Sequence, residues 1–313
     1  CTPVGHEWWS DQYWRFGEGY GDDRLARQFL ELDDRWLLLP HDDCYVTFDT
    51  AHPERAIRGV TLEQFRRQEW WFVVATVQDN QVGLARLAVE HGAAYVLQVG
   101  NTGQWVDWDL DPLALVSASD VPILGRGVRY HQEFDSQGAF AFANPLVSAD
   151  LRQVASFMNC FPSVPEWAYF ETARAALPGW EFRAHGIDGP DGDVKPTSRI
   201  AYEMTGAGWG WHDKPQGDGF GHVVHNWAAV GRPLVGHASH YAGKLAAPLW
   251  RDLETAVLLD ERTPEEAAEV MREIAADPYR HLAMCRAARA QFDAVVDFDR
   301  DELAVRVLLG LSR

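Results

Sequence analysis

The stretch DGFGHVVHNWAAVGRP, residues 218–233, has the pattern of a tight turn followed by a single helix. Gly219 and Gly221 keep the turn free of side chains, and Gly231 and Pro233 end the helix. The first N–H groups of a helix lack intrahelical partners and carry the positive end of the helix dipole. These residues alone are compatible with a simple strand-to-helix turn and equally with a backbone site for an anionic ligand where this helix begins.

The composition is that of a globular protein, with 313 residues, 47% hydrophobic and 24% charged, which is enough chain for two domains. The formal net charge of −18 argues against a broad nucleic-acid or anionic-membrane surface, because those partners require basic patches. No apolar run is long enough to span a bilayer, so no transmembrane segment is expected. The four cysteines are scattered, which predicts reduced thiols and a cytoplasmic location.

Short β-rich runs alternate with helical patterns along the whole chain, which predicts the α/β class with parallel sheets. The runs in the first half are continuous and apolar, as in buried parallel strands, and cover residues 35–40, 70–77, 95–101 and 113–119. The rhythm restarts near residue 152, so two domains are predicted, at 1–148 and 149–313. Late in the chain Thr263, Pro264 and Glu266 have the spacing of a helix start with a capping box.

The second half resembles the GT-B glycosyltransferases, and within them the retaining family 4-like group. Many retaining members carry an acidic residue, then Gly-Phe-Gly, then a glutamate eight positions after the acid, then Ala-x-Gly-x-Pro. The matching positions here are Asp218, Gly219, Phe220, Gly221, Ala229, Gly231 and Pro233. The similarity continues through the capped helix and the basic helix after it, and reaches the first half only as the strand–helix rhythm.

The resemblance implies two Rossmann-like domains with an interdomain cleft, and transfer of a sugar from a nucleotide-sugar donor to the hydroxyl of an unknown acceptor. It implies a metal-independent hexosyltransferase with no cofactor besides the nucleotide-sugar co-substrate. Carboxylates of such enzymes hold ribose or sugar hydroxyls, which assigns Asp218 to the catalytic residues. Gly219, Phe220, Gly221 and His222 are assigned to donor binding.

Two departures from the family pattern concern charge. Asn226 stands where relatives carry the second glutamate, and it keeps hydrogen-bonding capacity as a candidate substrate-binding residue. The segment NCFPSVPEW, 159–167, lacks the Arg and Lys that relatives place there to neutralise the diphosphate. Lys214 is the predicted replacement, with His212 or His222 as further candidates.

In the first half, residues 1–9 are interpreted as a glycine-containing loop that follows a preceding strand and faces the cleft. Gly5 would permit close approach of a ligand, and His6 or Glu7 would act on the acceptor hydroxyl. Asn101 follows another predicted strand and is expected at the same edge of the sheet, because ligands bind beyond the carboxyl ends of parallel strands.

The histidine-containing motifs are interpreted without a metal ion. The acidic motif HDD at 41–43 has the form of a common loop after a strand. His237 and His240 lie three residues apart, but the sequence shows no carboxylate beside them, so no metal site is predicted. His222 and His225 are alternatively interpreted as ordinary histidines of the helix surface or the core, with no role in ligand binding.

Two further functions stay open. Asn226 and the missing basic pair are compatible with a catalytically inactive glycosyltransferase-like binding protein. A GT-B-fold nucleotide-sugar epimerase is the other alternative. The stereochemistry is open as well, since the spacing of Asp218 and Asn226 favours retention, whereas a base at His6 would favour inversion.

Overall fold

The computed structural model describes the backbone of four short strands within residues 2–75 and then residues 81–100, 104–117, 121–131, 140, 149–195 and 197–311. The chain divides into two compact units. The first comprises residues 1–133 and 298–313, and the second comprises residues 134–297. The predicted boundary between residues 148 and 149 stays a prediction.

The first unit contains two sheets in which every described strand pair is parallel. One sheet has the order β1 (Thr2–Val4), β2 (Leu37–Pro40), β3 (Arg58–Gly59). The other has the order β4 (Phe72–Ala75), β5 (Ala94–Val99), β6 (Leu113–Val116), β7 (Gly127–Arg129), with helix α1 (Gln81–Glu90) between β4 and β5. Strand β1 corrects the interpretation of residues 1–9 as loop throughout, because Thr2–Val4 pair with β2.

The second unit is built on one five-stranded parallel sheet with the order β12-β11-β10-β8-β9. Its strands are β8 (Asp150–Phe157), β9 (Glu181–His185), β10 (Ala207–Trp211), β11 (Leu234–Gly236) and β12 (Ala256–Leu258). Its helices are α2 (Trp167–Ala176), α3 (Thr197–Gly206), α4 (His222–Ala229), α5 (Pro264–Ala275) and α6 (Pro278–Val295). The predicted capping box of α5 is confirmed, with Thr263 and Glu266 exchanging hydrogen bonds.

Helix α4 is held against the sheet by a close contact between Gly210 and Trp227. Trp227 is completely buried, and a Cβ atom built on Gly210 would lie 2.4 Å from its ring. The neighbouring strand residues Trp209 and Trp211 are also completely buried in the core of the unit. The absence of a side chain at residue 210 therefore allows α4 to lie directly over β10.

Helix α7 (Phe298–Leu308), the last of the chain, packs on the first unit. Val305 and Leu309 pack in one core cluster with Val96 of β5 and Leu115 of β6. Asp301 reinforces this packing, because one of its oxygens accepts hydrogen bonds from the main-chain N–H and the ring of His131, each at 2.8 Å. The sequence-based division had grouped this helix with residues 149–297.

Candidate functional site

The candidate site lies where β10 leads through residues 212–221, here called the α4 loop, into helix α4. Gly221 precedes the helix with φ of 85° and has no side chain to cap it. A Cβ atom at this position would lie 3.1 Å from both Ala246 and the Tyr241 ring. Glycine is therefore required by backbone conformation and by space, and the N-terminus of α4 begins without a side-chain cap.

An ion pair occupies the centre of the α4 loop. Lys214 donates a hydrogen bond to Oδ1 of Asp218, and His212 Nε2 lies 3.4 Å from Oδ2 of the same carboxylate. Burial by itself would raise the pKa of Asp218, but His212 and Lys214 hold this pKa well below its usual range. Asp218 is therefore ionised at neutral pH and can accept hydrogen bonds from ligand hydroxyls.

A second lysine fixes the backbone of the same loop. Lys244 is 8% exposed and donates hydrogen bonds to the main-chain oxygens of Gln216 and Asp218, the latter at 3.2 Å. Tyr241 supports the loop from the same side, since its hydroxyl lies 2.7 Å from His212 Nε2. Sequence reasoning missed Lys244, because it follows the next strand and no spacing pattern links it to the loop.

The histidines of α4 have different surroundings. His225 is buried, its Nδ1 lies 2.9 Å from the main-chain oxygen of Gly221, and its ring stacks on Phe220 at 4.2 Å. These contacts fasten the turn, so the Phe220 side chain packs inside the protein. Protein atoms packed around the His222 ring remove it from water and lower its pKa to about 4, against the opposing influence of Asp218. His222 is therefore neutral at pH 7 and does not supply the positive charge that the loop after β8 lacks.

Asn226 lies inside the unit, only 4% exposed, and its Oδ1 makes no hydrogen bond to a described residue. Gly219 is buried within the α4 loop. The remaining predicted site residues, Gly5, His6 and Asn101, and the alternative base Glu7, lie outside the described residues. The structure thus brings Lys214, Asp218, Gly219, Phe220, Gly221 and His222 together around the start of α4, whereas Asn226 lies one turn further into the helix.

A second polar cluster lies at the ends of β10 and β11. Asp213 Oδ1 is 2.7 Å from His237 Nδ1 and 3.5 Å from His240 Nδ1. The sequence paired the two histidines by spacing but gave no sign of the carboxylate, which is supplied by another strand end. Beside the cluster is an open surface depression of about 520 Å³ at the start of α5, whose lining includes Tyr169, Asp260 and Arg262.

Comparison with known proteins identifies the fold. No family model matches the chain, and no curated protein matches its sequence. Anabaena HepE, solved with UDP-glucose, aligns over 99% of this chain and 99% of its own with a TM-score of 0.62 and 13% identity. The chain has a glycosyltransferase fold.

Two further solved structures support this fold. A glycosyltransferase from Rickettsia africae aligns over 91% of this chain and 93% of its own, with a TM-score of 0.63 and 8% identity. An α-glucosyltransferase in complex with UDP and DNA aligns over 99% of this chain and 98% of its own, with a TM-score of 0.62 and 10% identity. At these identities the similarity establishes the fold alone. Among the described residues, no helix combines the length and apolar character required to cross a membrane.

Proposed function

We propose that the protein is a metal-independent hexosyltransferase of GT-B architecture, which transfers a sugar from a nucleotide sugar to an acceptor hydroxyl. The observation that carries this proposal is the glycine turn at the start of α4, with Lys214, Asp218 and Lys244 around it, in a chain with a glycosyltransferase fold. HepE was solved with UDP-glucose, so a UDP-hexose is the first donor to test. The Asp-Gly-Phe-Gly motif favours the retaining family 4-like group.

In this proposal the donor diphosphate binds at the start of α4, where the backbone N–H groups point along the positive end of the helix dipole and stabilise negative charge. Lys214 adds a positive charge as the diphosphate leaves, and Lys244 holds the loop backbone in place. Asp218 accepts hydrogen bonds from a ribose or sugar hydroxyl. The acceptor would bind to the first of two Rossmann-like domains, across an interdomain cleft.

The acceptor in this proposal is a hydroxyl compound other than a nucleic acid. The net charge of −18 would repel a phosphate backbone over most of the surface. The α-glucosyltransferase similar in fold was solved with DNA, so a DNA duplex belongs in the acceptor panel as a direct check.

A catalytically inactive binding protein is the second candidate, and the buried Asn226 is the observation that favours it. An amide at this position carries no charge, and its burial limits what it can offer to a ribose. Such a protein would bind nucleoside diphosphates through the start of α4 and leave the glycosidic bond intact.

The test is a panel of nucleotide sugars incubated with the full chain, with and without hydroxyl acceptors. Release of nucleoside diphosphate and the mass of the products are measured. Transfer or slow donor hydrolysis supports the transferase, and saturable binding without turnover supports the inactive protein. Conversion of the donor sugar without an acceptor identifies an epimerase. Failure of every nucleoside diphosphate and nucleotide sugar to bind would overturn the proposal.

A further inference from the structure

Three potential metal ligands from different parts of the chain meet at the carboxyl ends of β10 and β11. Asp213 follows β10 by two residues, His237 directly follows β11, and His240 comes three residues later. One ligand atom from each of the three side chains lies within 4.8 Å of the others. The sheet therefore positions the carboxylate, and the turn after β11 positions the two imidazoles.

Asp213 is completely buried, and its hydrogen bonds are incomplete. Oδ1 accepts from the main-chain N–H of His237 at 3.1 Å and lies 2.7 Å from His237 Nδ1. Oδ2 and the Nδ1 atom of His240 make no hydrogen bond to any residue that the structure describes. A buried carboxylate with an unpaired oxygen is costly, so a simple ion pair with His237 leaves this cluster only partly compensated.

We propose that Asp213, His237 and His240 bind a divalent transition-metal ion of the zinc class. Two imidazoles and one carboxylate are typical ligands of Zn²⁺, whereas Ca²⁺ and Mg²⁺ prefer oxygen ligands alone. Tetrahedral ligands about 2.0–2.2 Å from zinc lie roughly 3.4 Å apart. The distance of 3.5 Å between Asp213 Oδ1 and His240 Nδ1 is already close to this value. The distance of 2.7 Å between Asp213 Oδ1 and His237 Nδ1 would lengthen as zinc replaces the proton between these two atoms.

The surroundings of the two histidines are ordered in a way that supports binding. The Asp260 carboxylate accepts hydrogen bonds from the main-chain N–H groups of Ala238 and Ser239, at 2.6 and 3.2 Å, and so fixes the turn between the ligands. The ring of Tyr169 meets His237 edge-on at 5.3 Å. Groups that orient ligands in this way strengthen metal sites.

The proposed ion would join the ends of β10 and β11, and three protein ligands would leave a tetrahedral ion one position for water. A metal ion that joins these two strand ends has a structural role, which goes beyond sugar transfer and does not depend on it. It also differs from a catalytic metal on the diphosphate, which the proposed function does not require.

The experiment uses the full chain without a histidine tag, stripped of metal with a chelator and titrated with ZnCl₂ by calorimetry. Binding of Co²⁺ is followed in parallel by visible absorption, which reports coordination geometry. His240→Ala removes a partly exposed ligand, and Asp213→Asn removes the carboxylate charge. His91→Ala and Cys160→Ser, which change potential ligands outside the cluster, are the matched controls.

We expect one Zn²⁺ per chain, a higher melting temperature with zinc, and an affinity at least about 100-fold lower in His240→Ala. The two controls should bind zinc as the unaltered protein does. No saturable binding, or equal affinity in His240→Ala, would overturn the proposal. If Asp213→Asn fails to fold, His240→Ala still decides the outcome, with circular dichroism of the metal-free variant as the check on folding.

Discussion

Lys214 donates a hydrogen bond to the carboxylate of Asp218, four residues further along the α4 loop. The sequence assigned the two side chains to separate groups of one ligand and gave no sign that they pair with each other. A bound diphosphate would compete with Asp218 for the ammonium group. Removing one partner of the pair should therefore affect diphosphate binding in the opposite direction from removing the other.

Lys214→Met should weaken binding of a free nucleoside diphosphate and of the nucleotide sugar alike. A charge-assisted hydrogen bond contributes about 1.5–3 kcal/mol, which corresponds to roughly 10- to 150-fold in the dissociation constant. Calorimetric titration with UDP measures the change. Lys195→Met, at an exposed lysine of the same unit, is the matched control and should bind UDP normally. Unaltered UDP affinity in Lys214→Met would mean that Lys214 does not replace the missing basic pair.

If Asp218 holds a sugar hydroxyl, Asp218→Asn should leave UDP affinity unchanged or raise it, because the amide no longer competes for Lys214. If Asp218 holds a ribose hydroxyl, UDP affinity should fall, but less than in Lys214→Met. Asp218→Asn should also turn over the nucleotide sugar more slowly, since the charged acceptor for a sugar hydroxyl is gone. Steady-state kinetics and UDP titration of one preparation separate the two effects. A loss of UDP affinity equal to that of Lys214→Met would contradict separate roles for the two residues.

Gly221→Ala should destabilise the fold by about 2 kcal/mol or more, because positive φ and the 3.1 Å approach to Tyr241 and Ala246 act together. Gly192→Ala is the matched control, since Gly192 has φ of 76° but nothing within 4 Å of the added methyl group. It should cost about 1 kcal/mol from backbone strain alone. Urea unfolding of both variants provides the comparison, and equal costs would mean that the contacts around Gly221 are unimportant.

The close contacts around Gly221 also limit what the variant Gly221→Val can show about ligand binding. From the sequence, a bulky residue at 221 is expected mainly to block an anion. The structure shows that the added atoms would first meet Tyr241 and Ala246. Lost ligand binding in Gly221→Val must therefore be read together with the stability of the variant.

Asp301→Asn should lower the free energy of unfolding at pH 7 by about 1–3 kcal/mol, because Asp301 is a buried acceptor for two hydrogen bonds from His131. Burial alone would raise the pKa of Asp301, but the contacts with His131 and Arg300 hold this pKa below its usual value. Its contribution is therefore complete above the unfolded pKa of about 3.9 and is lost as pH falls through the lower folded pKa.

Denaturant titrations from pH 3 to 7 measure this difference. The gap between the unaltered protein and Asp301→Asn should be constant above about pH 5 and should narrow below about pH 4. Asp109→Asn, at an exposed position in the same unit, should show little change at any pH. A gap that widens in acid would contradict the assigned role of Asp301.

Gly210→Ala should destabilise the second unit by about 1–3 kcal/mol, because the new methyl group would overlap the Trp227 ring. A smaller side chain at 227 should recover part of this loss, so the cost of Gly210→Ala should be smaller in a Trp227→Leu background. Gly206→Ala has nothing within 4 Å and serves as the control. Thermal unfolding of the double-mutant cycle gives the coupling, and strict additivity would argue against a direct contact.

The sequence predicted helices α4 and α5 of the second half, because the start of each has a strong local signal. Helix α5 is the clearest case, since Thr263, Pro264 and Glu266 identify its start without reference to the rest of the chain. No local signal in the sequence of helix α7 indicates which part of the chain it packs against. Its packing on the first unit includes the contact of Asp301 with His131, 170 residues earlier, which no local pattern encodes.

The candidate site shows the same division. Gly221 and the turn before α4 are visible in the sequence because glycine placement is a local property. The residues that contact this turn are not visible in the same way, because Lys244 and Tyr241 belong to the segment after β11. Asp213 was missed for the same reason, since the histidines that it contacts follow a different strand.

The contacts of Lys244 make the α4 loop a composite of two sequence segments. Residues 212–221 contain the acidic residue and the Gly-Phe-Gly of the recognisable motif, yet their backbone is fastened by a side chain 26 residues beyond Asp218. Moving that motif alone into another protein would therefore transfer its sequence without the contacts that hold its backbone conformation. Substitutions between β11 and β12 can therefore change the shape of the α4 loop while every motif residue stays the same, so engineering of this loop has to treat both segments as one unit.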